Sequence, residues 1–174
     1  MIYFIRHGET DYNKEVRFQG HLDIPLNETG ISQANEALEN SKAIQFDVIY
    51  HSPLLRAKET AEIINSFHNA KLISDDRLKE IFMGTLQGRK FSELSEEEQR
   101  LSFTNPEHFG GESHDEFCAR IISFYDEIKN TDKNILIVSH GGVYRALYKH
   151  INNLTDLQFS MKPLPNASLI LIKE

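Results

Sequence analysis

The chain has little that would allow a disulfide, a membrane span or a flexible linker. Cys118 is its only cysteine, so no disulfide can form within the chain, and a reducing compartment fits best. No apolar run approaches the roughly 18 residues of a membrane-spanning helix. Residues 1–8 lack the basic start and long apolar core of a signal peptide, so we expect a cytoplasmic protein without membrane contact. The nine glycines and five prolines are too scattered to mark a linker.

Positive charge is also scarce. The chain has 19 Lys and Arg against 26 Asp and Glu, for a net charge of −7, and it has no basic run. Such a chain is a poor binder of nucleic acid, and an anionic ligand would need a local cluster of cations. A chain of 174 residues buries roughly 70 % of its unfolded surface, which predicts one soluble domain over residues 1–174.

Three short apolar runs, each followed by polar residues, predict buried strands. They are residues 2–5, 46–50 and 135–138, followed by Arg6-His7-Gly8, His51-Ser52-Pro53 and Ser139-His140-Gly141-Gly142. Residues 72–73 and 168–172 are further strand candidates. Between the strands, apolar residues recur at helical spacing and predict three core-facing helices. Their predicted core positions are Ile31, Ala34, Leu38 and Ser41; Leu54, Ala57, Ala61 and Ile64; and Phe117, Ile121, Phe124 and Ile128.

Strands that alternate with helices predict an α/β fold, in which a mostly parallel sheet is covered by helices on both faces. Ser52 and Pro53 are typical of a helix start, as N-cap and first helical residue. Residues 83–111 are the least regular part of the chain. Within them, residues 92–101 are rich in Glu and predict a solvated helix that crosses over the sheet as a candidate lid.

Two histidines and two arginines stand at or just beyond the predicted strand ends. In open α/β sheets, ligands bind beyond the carboxyl ends of the strands. There the chain has Arg6 and His7, then Arg56 one turn beyond Ser52, and then His140. A guanidinium group presents a fixed fork of donors that matches two phosphate oxygens. These residues therefore predict a shared crevice that binds a phosphate group.

The same residues lie within five motifs that resemble those of the histidine phosphatase superfamily, whose members include phosphoglycerate mutases. The motifs are Arg6-His7-Gly8-Glu9-Thr10 with Asn13, Arg17, Gln19-Gly20, Asp23 and Pro25-Leu26; Ser52-Pro53-Leu54-Leu55-Arg56-Ala57 with Thr60; Leu78-Lys79-Glu80 with Gly84 and Gly88; Gly110-Gly111-Glu112-Ser113; and Val138-Ser139-His140-Gly141-Gly142. The resemblance implies a phosphoglycerate mutase-like fold, a three-layer α/β/α sandwich with a mixed, mostly parallel sheet.

The resemblance implies phosphoryl transfer through a phosphohistidine. By similarity, His7 is the nucleophile, and Arg6, Arg56 and His140 hold the phosphoryl oxygens. We expect His140 to be protonated for this role, favoured by a bound phosphate dianion. Glu80 resembles the proton donor to the leaving group and the later base for water, which requires its pKa to rise from the ordinary value of about 4.3.

Further residues resemble binding groups of the family. Asn13, Gln19, and the backbone amides around Gly20 and Gly141 resemble phosphate contacts. No metal or cofactor is implied, and the other six histidines, most of which we expect to face solvent, show no zinc-binding spacing. These are His21, His51, His68, His108, His114 and His150. His21 and His114 adjoin motif residues, which makes them candidates for lining the substrate pocket.

The chain departs from cofactor-dependent mutases of the family, which carry Glu-Arg-His-Tyr where this chain has Glu80-Ile81-Phe82-Met83. Such mutases also hold a second phosphate with basic residues of an inserted segment, whereas here only Arg89, Lys90 and Arg100 are basic. This difference favours a phosphatase that hydrolyses small phosphomonoesters. Mutase-type transfer and a non-catalytic phospho-ligand binding module are the alternatives.

The residues after Glu80 predict the character of the substrate pocket. Ile81, Phe82, Met83 and Leu86 predict a partly apolar pocket wall. Neither the individual ester nor the oligomeric state follows from the sequence.

Overall fold

The computed structural model describes residues 1–155 and 164–174, which contain a five-stranded sheet flanked by helices. The strands are β1 (Ile2–Arg6), β2 (Val48–His51), β3 (Lys71–Ser74), β4 (Ile135–Ser139) and β5 (Leu169–Lys173). The helices are α1 (Asp11–Lys14), α2 (Glu28–Ser41), α3 (Leu55–His68), α4 (Glu96–Thr104), α5 (His114–Ile128) and α6 (Gly141–Ile151). Short 3-10 turns span Asp76–Leu78, Gly84–Leu86, Phe91–Glu93 and Pro106–Phe109.

The sheet has the strand order β3-β2-β4-β1-β5. Neighbouring strands are parallel from β3 to β1, and β5 runs antiparallel to β1 at the edge. The predicted α/β fold with a mostly parallel sheet is therefore confirmed. The parallel strands carry their carboxyl ends to one edge, which is where the motif residues follow.

Side chains of β4 alternate between two apolar cores, one on each face of the sheet. Ile135 and Ile137 pack with residues of α5 and α6, whereas Leu136 and Val138 pack with residues of α2 and α3. All five β4 side chains are buried, as a strand covered on both faces requires. The sheet is thus the middle layer of three.

Two helix predictions were wrong in part. Ile31 lies in α2 but is exposed, and the buried residues of that helix are Gly30, Ala34, Ala37, Leu38 and Ser41. Helix α3 begins at Leu55, and Leu54 rather than Ser52 is its N-cap. The N–H of Leu55 instead donates to the carboxylate of Asp23, 2.6 Å away. A carboxylate from a distant segment therefore satisfies a donor that we had expected Ser52 to satisfy locally.

The segment 83–111 folds around a small apolar cluster of its own. The cluster contains Met83, Leu86, Leu94 and Phe109, all buried. The predicted wall of the substrate pocket was therefore wrong for Met83 and Leu86, because their side chains fill this cluster. Helix α4, at Glu96–Thr104, starts later than the predicted helix, since Ser95 is its N-cap.

In the described part of the chain, no helix is long and apolar enough to cross a membrane.

Candidate active site

The candidate site lies at the carboxyl ends of β1, β2 and β4, which are adjacent in the sheet. The N–H of His7 donates to the carbonyl of Ser139 at 2.9 Å, and the N–H of Ser52 donates to the carbonyl of Val138 at 3.1 Å. These bonds continue the strand pairing one residue beyond β1 and β2. They align the residues that follow the three strands, so His7, Ser52 and His140 meet although they are far apart in sequence.

His7 is buried, and its ring faces that of His140, with centroids 5.2 Å apart. Nδ1 of His7 donates to the carbonyl of Gly8 at 2.7 Å, because a carbonyl oxygen can only accept. The lone pair of the neutral ring is therefore on Nε2. Burial, followed by the positive charges of Arg56 and Arg6, lowers the pKa of His7 well below its usual range, so the ring is neutral at pH 7.

His140 is also fully buried, and it is the N-cap residue of α6. Its Nε2 lies 2.8 Å from Oγ of Ser52. Burial, followed by the charge of Arg56, lowers the pKa of His140 well below its usual range. Without a bound anion the ring is therefore neutral, and the protonation that we expected from the sequence would depend on the charge of the phosphate.

The two arginines are held by backbone carbonyls. Arg56 is only 1 % exposed, and its Nη1 and Nη2 donate to the carbonyls of Leu22 and Gly20, both at 2.9 Å. Burial lowers the pKa of Arg56 to about 10, so it still carries its charge at pH 7. Nη1 of Arg6 donates to the carbonyl of Leu164 at 2.6 Å. Both guanidinium groups are thus fixed in orientation, and neither has a direct carboxylate partner among residues 1–155 and 164–174.

Only three buried side-chain nitrogen or oxygen atoms lack a hydrogen-bond partner in the described residues. They are Nε of Arg6, Nε of Arg56 and Nδ1 of His140. Buried polar groups are nearly always paired, so such atoms call for an explanation. Both arginine nitrogens can only donate. They form a set of donors that an acceptor-only group, such as the oxygens of a phosphate, would satisfy.

Glu80 brings a carboxylate to the same place. Its Oε2 accepts from the N–H of Gly142 at 3.1 Å, at the start of α6, and its Oε1 accepts from the N–H of Ile81 at 3.0 Å. The negative charge of Glu80 raises the pKa of Arg6 and of Arg56, although burial has the larger, opposite effect on each. The structure therefore brings together the five predicted catalytic residues, His7, Glu80, Arg6, Arg56 and His140.

The predicted binding residues are less uniform in position. Oδ1 of Asn13 accepts from the N–H of Thr10 at 3.1 Å, and the hydroxyl of Thr10 donates to Oε1 of Gln19 at 2.9 Å. Gly20 presents its carbonyl to Arg56, although the sequence prediction concerned backbone amides around this glycine. Gly141 adjoins Arg6: a Cβ built on Gly141 would lie 3.7 Å from Nε of Arg6. Gln19 and Gly20 thus support other site residues in this structure.

Of the two histidines proposed for the substrate pocket, only His21 adjoins Glu80. Its Nε2 donates to the carbonyl of Glu80 at 2.7 Å, and its ring lies 5.2 Å from that of Phe82. His114 is exposed, and its Nε2 donates to the carbonyl of Phe103 at 2.9 Å, which ties α5 to the end of α4. Most of the six further histidines were expected to face solvent, but only His108, His114 and His150 of that set are exposed, and His51 is buried.

Sequence reasoning missed Arg120, which anchors the backbone around Glu80. Its guanidinium donates to the carbonyls of Arg77, Lys79 and Glu80, at 2.6 to 3.0 Å, and to both carboxylate oxygens of Glu112. Arg120 lies on α5, and no local motif indicates these partners.

Among the described residues, no group of three His, Cys, Asp or Glu side chains is placed to hold a metal ion.

Several known proteins resemble this chain over most of its length. The family model "Histidine phosphatase superfamily (branch 1)" matches residues 2–174. "Uncharacterized phosphatase PhoE" of Bacillus subtilis is 35 % identical over 167 residues, which cover 95 % of this chain and 83 % of PhoE. "Probable phosphoglycerate mutase GpmB" of Escherichia coli is 36 % identical over 176 residues, which cover 97 % of this chain and 82 % of GpmB. The solved structure of mycobacterial glucosyl-3-phosphoglycerate phosphatase is 28 % identical and superimposes with a TM-score of 0.84. The match covers 97 % of this chain and 87 % of the phosphatase.

Proposed function

This chain belongs to the histidine phosphatase superfamily, and from that membership we propose that it hydrolyses small phosphomonoesters through a phosphohistidine on His7. Relatives that are named phosphatases support the hydrolytic reading. The observation that carries the proposal is the set of buried nitrogens on Arg6, Arg56 and His140 that have no partner in the described ranges, beside a second buried histidine. Together they offer a nucleophile and the donors that a transferred phosphoryl group requires.

His7 is suited to attack phosphorus. Its Nδ1–H is held by the carbonyl of Gly8, and its neutral state at pH 7 keeps the Nε2 lone pair available. In the first step Nε2 forms a bond to phosphorus while the bond from phosphorus to the ester oxygen breaks. Arg6, Arg56 and His140 bind the equatorial oxygens, over which the negative charge of the transition state is spread.

Glu80 donates a proton in the first step and accepts a proton in the second. In its protonated form, Glu80 donates its proton to the departing alkoxide, which leaves as the alcohol. The resulting carboxylate then removes a proton from a water molecule, whose oxygen attacks the phosphohistidine. The bond from Nε2 to phosphorus breaks, inorganic phosphate leaves, and His7 and Glu80 return to their starting states.

Hydrolysis is favoured over mutase-type transfer because the cations of segment 83–111 are not a set of free charges directed at the site. Arg89 pairs with Glu98 at 3.1 Å, and Nζ of Lys90 lies 4.0 Å from Glu15. Arg100 lies on the exposed surface of α4. A mutase must retain a bisphosphate while it reorients, which requires cations for its second phosphate. Mutase-type transfer is supported by relatives such as GpmB and is the second candidate function.

The test is hydrolysis of a generic aryl phosphate by the purified protein in the presence of a chelator. We expect phosphate release that His7→Ala abolishes and that His108→Ala, which alters an exposed histidine, leaves unchanged. Glu80→Gln should slow turnover and allow a phosphate to be found on His7 by mass spectrometry, labile in acid and stable in base. Equal activity of wild type and His7→Ala would overturn the proposal.

The same preparation separates the alternatives. Isomerisation of a phosphoglycerate with a bisphosphate primer, faster than hydrolysis of any ester, would favour the mutase. Tight binding of inorganic phosphate with no turnover and no phosphorylation of His7 would indicate a binding module. A screen of phosphate esters then identifies the preferred substrate.

A further inference from the structure

The hydroxyl of Ser52 is the group that pairs with the ring of His140. Oγ and Nε2 are 2.8 Å apart, and both side chains are fully buried. We propose that Ser52 is a positioning residue, whose hydroxyl donates to Nε2 of His140 and so keeps the ring proton on Nδ1, where it donates to the transferred phosphoryl group. This inference rests on the proposed function and deepens it, since it specifies in which form His140 binds phosphate.

The partners of Ser52 determine the direction of this hydrogen bond. One lone pair of Oγ accepts from the N–H of Leu54 at 3.3 Å. Among the described residues, the hydroxyl proton has no acceptor within hydrogen-bond distance other than Nε2 of His140. If Nε2 carried the ring proton, the hydroxyl proton would be buried without an acceptor, and the lone pair on Nδ1 would be buried without a donor. Unmade hydrogen bonds of buried groups are costly, so this tautomer is disfavoured.

A second serine–histidine pair in the same chain shows the opposite arrangement. Oγ of Ser41 is 2.9 Å from Nε2 of His68, but the hydroxyl of Ser41 also donates to the carbonyl of Leu38 at 2.8 Å. Its single proton is therefore engaged, and Nε2 of His68 must be the donor to Ser41. The same two atom types thus set opposite tautomers, and the presence of a competing carbonyl decides which one forms.

The Nδ1–H tautomer matches the two neighbouring arginines. Nε of Arg6 and Nε of Arg56 are obligate donors, and within the part of the chain that the structure describes neither has a partner. Nδ1 of His140 is the third such atom. A proton on Nδ1 makes all three atoms donors toward phosphoryl oxygens, whereas a bare lone pair there would repel them. His140 then donates as a neutral imidazole, which agrees with the lowering of its pKa by burial and by Arg56.

The direct test is the 15N NMR signature of the ring nitrogens of His140 at pH 7, in the ligand-free protein and with inorganic phosphate. We expect Nδ1 protonated and Nε2 unprotonated in both states, with the Nδ1–H signal shifted by phosphate. Protonation of Nε2 in either state, alone or together with Nδ1, would overturn the proposal. Because the ligand-free spectrum does not depend on turnover, a failure of the phosphatase assay would be separable from a failure of this assignment.

The variant pair is Ser52→Ala with Ser41→Ala as its matched control. Ser52→Ala should convert His140 partly or fully to the Nε2–H form and lower kcat on an aryl phosphate about tenfold, the scale of one buried hydrogen bond. Ser41→Ala removes an equally buried hydroxyl outside the site, so it should leave kcat and the tautomer of His140 unchanged. Unchanged kcat and an unchanged His140 tautomer in Ser52→Ala would contradict the proposal.

Discussion

The carboxylate of Glu80 accepts a hydrogen bond from the backbone N–H of Gly142, 3.1 Å away, at the start of α6. A Cβ at residue 142 would clash with Oε1 of Glu80, and the next contact would be the ring of Phe117. The absence of a side chain at Gly142 therefore leaves room for the carboxylate. Because the clashing atom is the end of a flexible side chain, an alanine would displace Glu80 and leave the fold in place.

We expect Gly142→Ala to impair proton donation by Glu80 selectively. General acid catalysis typically contributes about 100-fold or more, and it matters most when the leaving group is a poor one. Turnover of an alkyl phosphate should therefore fall by about 100-fold, and turnover of an aryl phosphate, whose leaving group departs without a proton, should fall much less. Kinetics on the two esters, with Glu80→Gln for comparison, measure this. Equal losses on both esters would contradict the assignment.

The stability of the protein should fall as the pH drops below about 6.5, the ordinary pKa of histidine. Burial and the nearby arginines lower the pKa of His7 and His140 in the folded state, so the unfolded chain binds more protons below that pH. Each histidine then contributes a loss of about 1.4 kcal/mol per pH unit until its folded-state pKa is reached. Denaturant unfolding at pH 7.5 and 5.5 measures the loss.

The matched variants for this pH dependence are His7→Gln and His140→Gln. Each removes one of the two fully buried histidines whose pKa is lowered most strongly, so each should reduce the difference in stability between the two pH values. His150→Gln, at an exposed position, should leave the difference unchanged. Equal stability of the wild type at both pH values would contradict the lowered pKa values.

Arg120→Met should destabilise the protein by about 3 kcal/mol, because it leaves the carbonyls of Arg77 and Lys79 without their donor and Glu112 without its charge partner. Lys58→Ala, which removes an exposed pair with Glu62, should cost less than about 0.5 kcal/mol. Denaturant unfolding of both variants tests the contrast. A cost for Arg120→Met no larger than that for Lys58→Ala would show that the anchoring is unimportant for stability.

Gly30→Ala should destabilise the protein, although alanine is the better helix former by about 1 kcal/mol. Gly30 lies in the first turn of α2, where a Cβ would clash with the backbone of Glu9, two residues after His7. Because backbone atoms cannot swing aside, the loop must shift, and we expect a loss of about 2 kcal/mol together with lower activity. Ser32→Ala, exposed on the same helix, should be neutral or stabilising. A Gly30→Ala protein as stable as Ser32→Ala would contradict the close approach.

The core of the fold follows from local patterns. Ile135 to Val138 are apolar without interruption, which is what a strand covered on both faces requires, and all four are buried. The helical face of Phe117, Ile121, Phe124 and Ile128 is buried as predicted. Ile31 fits its helical pattern equally well but is exposed, because spacing cannot indicate how far the neighbouring layer extends.

The motifs of the sequence determined which side chains follow the strand ends, and parallel pairing then places His7 and His140 together. Tertiary structure alone decided the hydrogen-bond partners of these side chains. Ser52 fits a local helix cap, yet its hydroxyl pairs with His140, and Asp23 takes over a donor of α3. The physical reason is range: propensity and periodicity act within a few residues, whereas a buried hydroxyl or carboxylate pairs with whichever distant group the packed layers bring within about 3 Å.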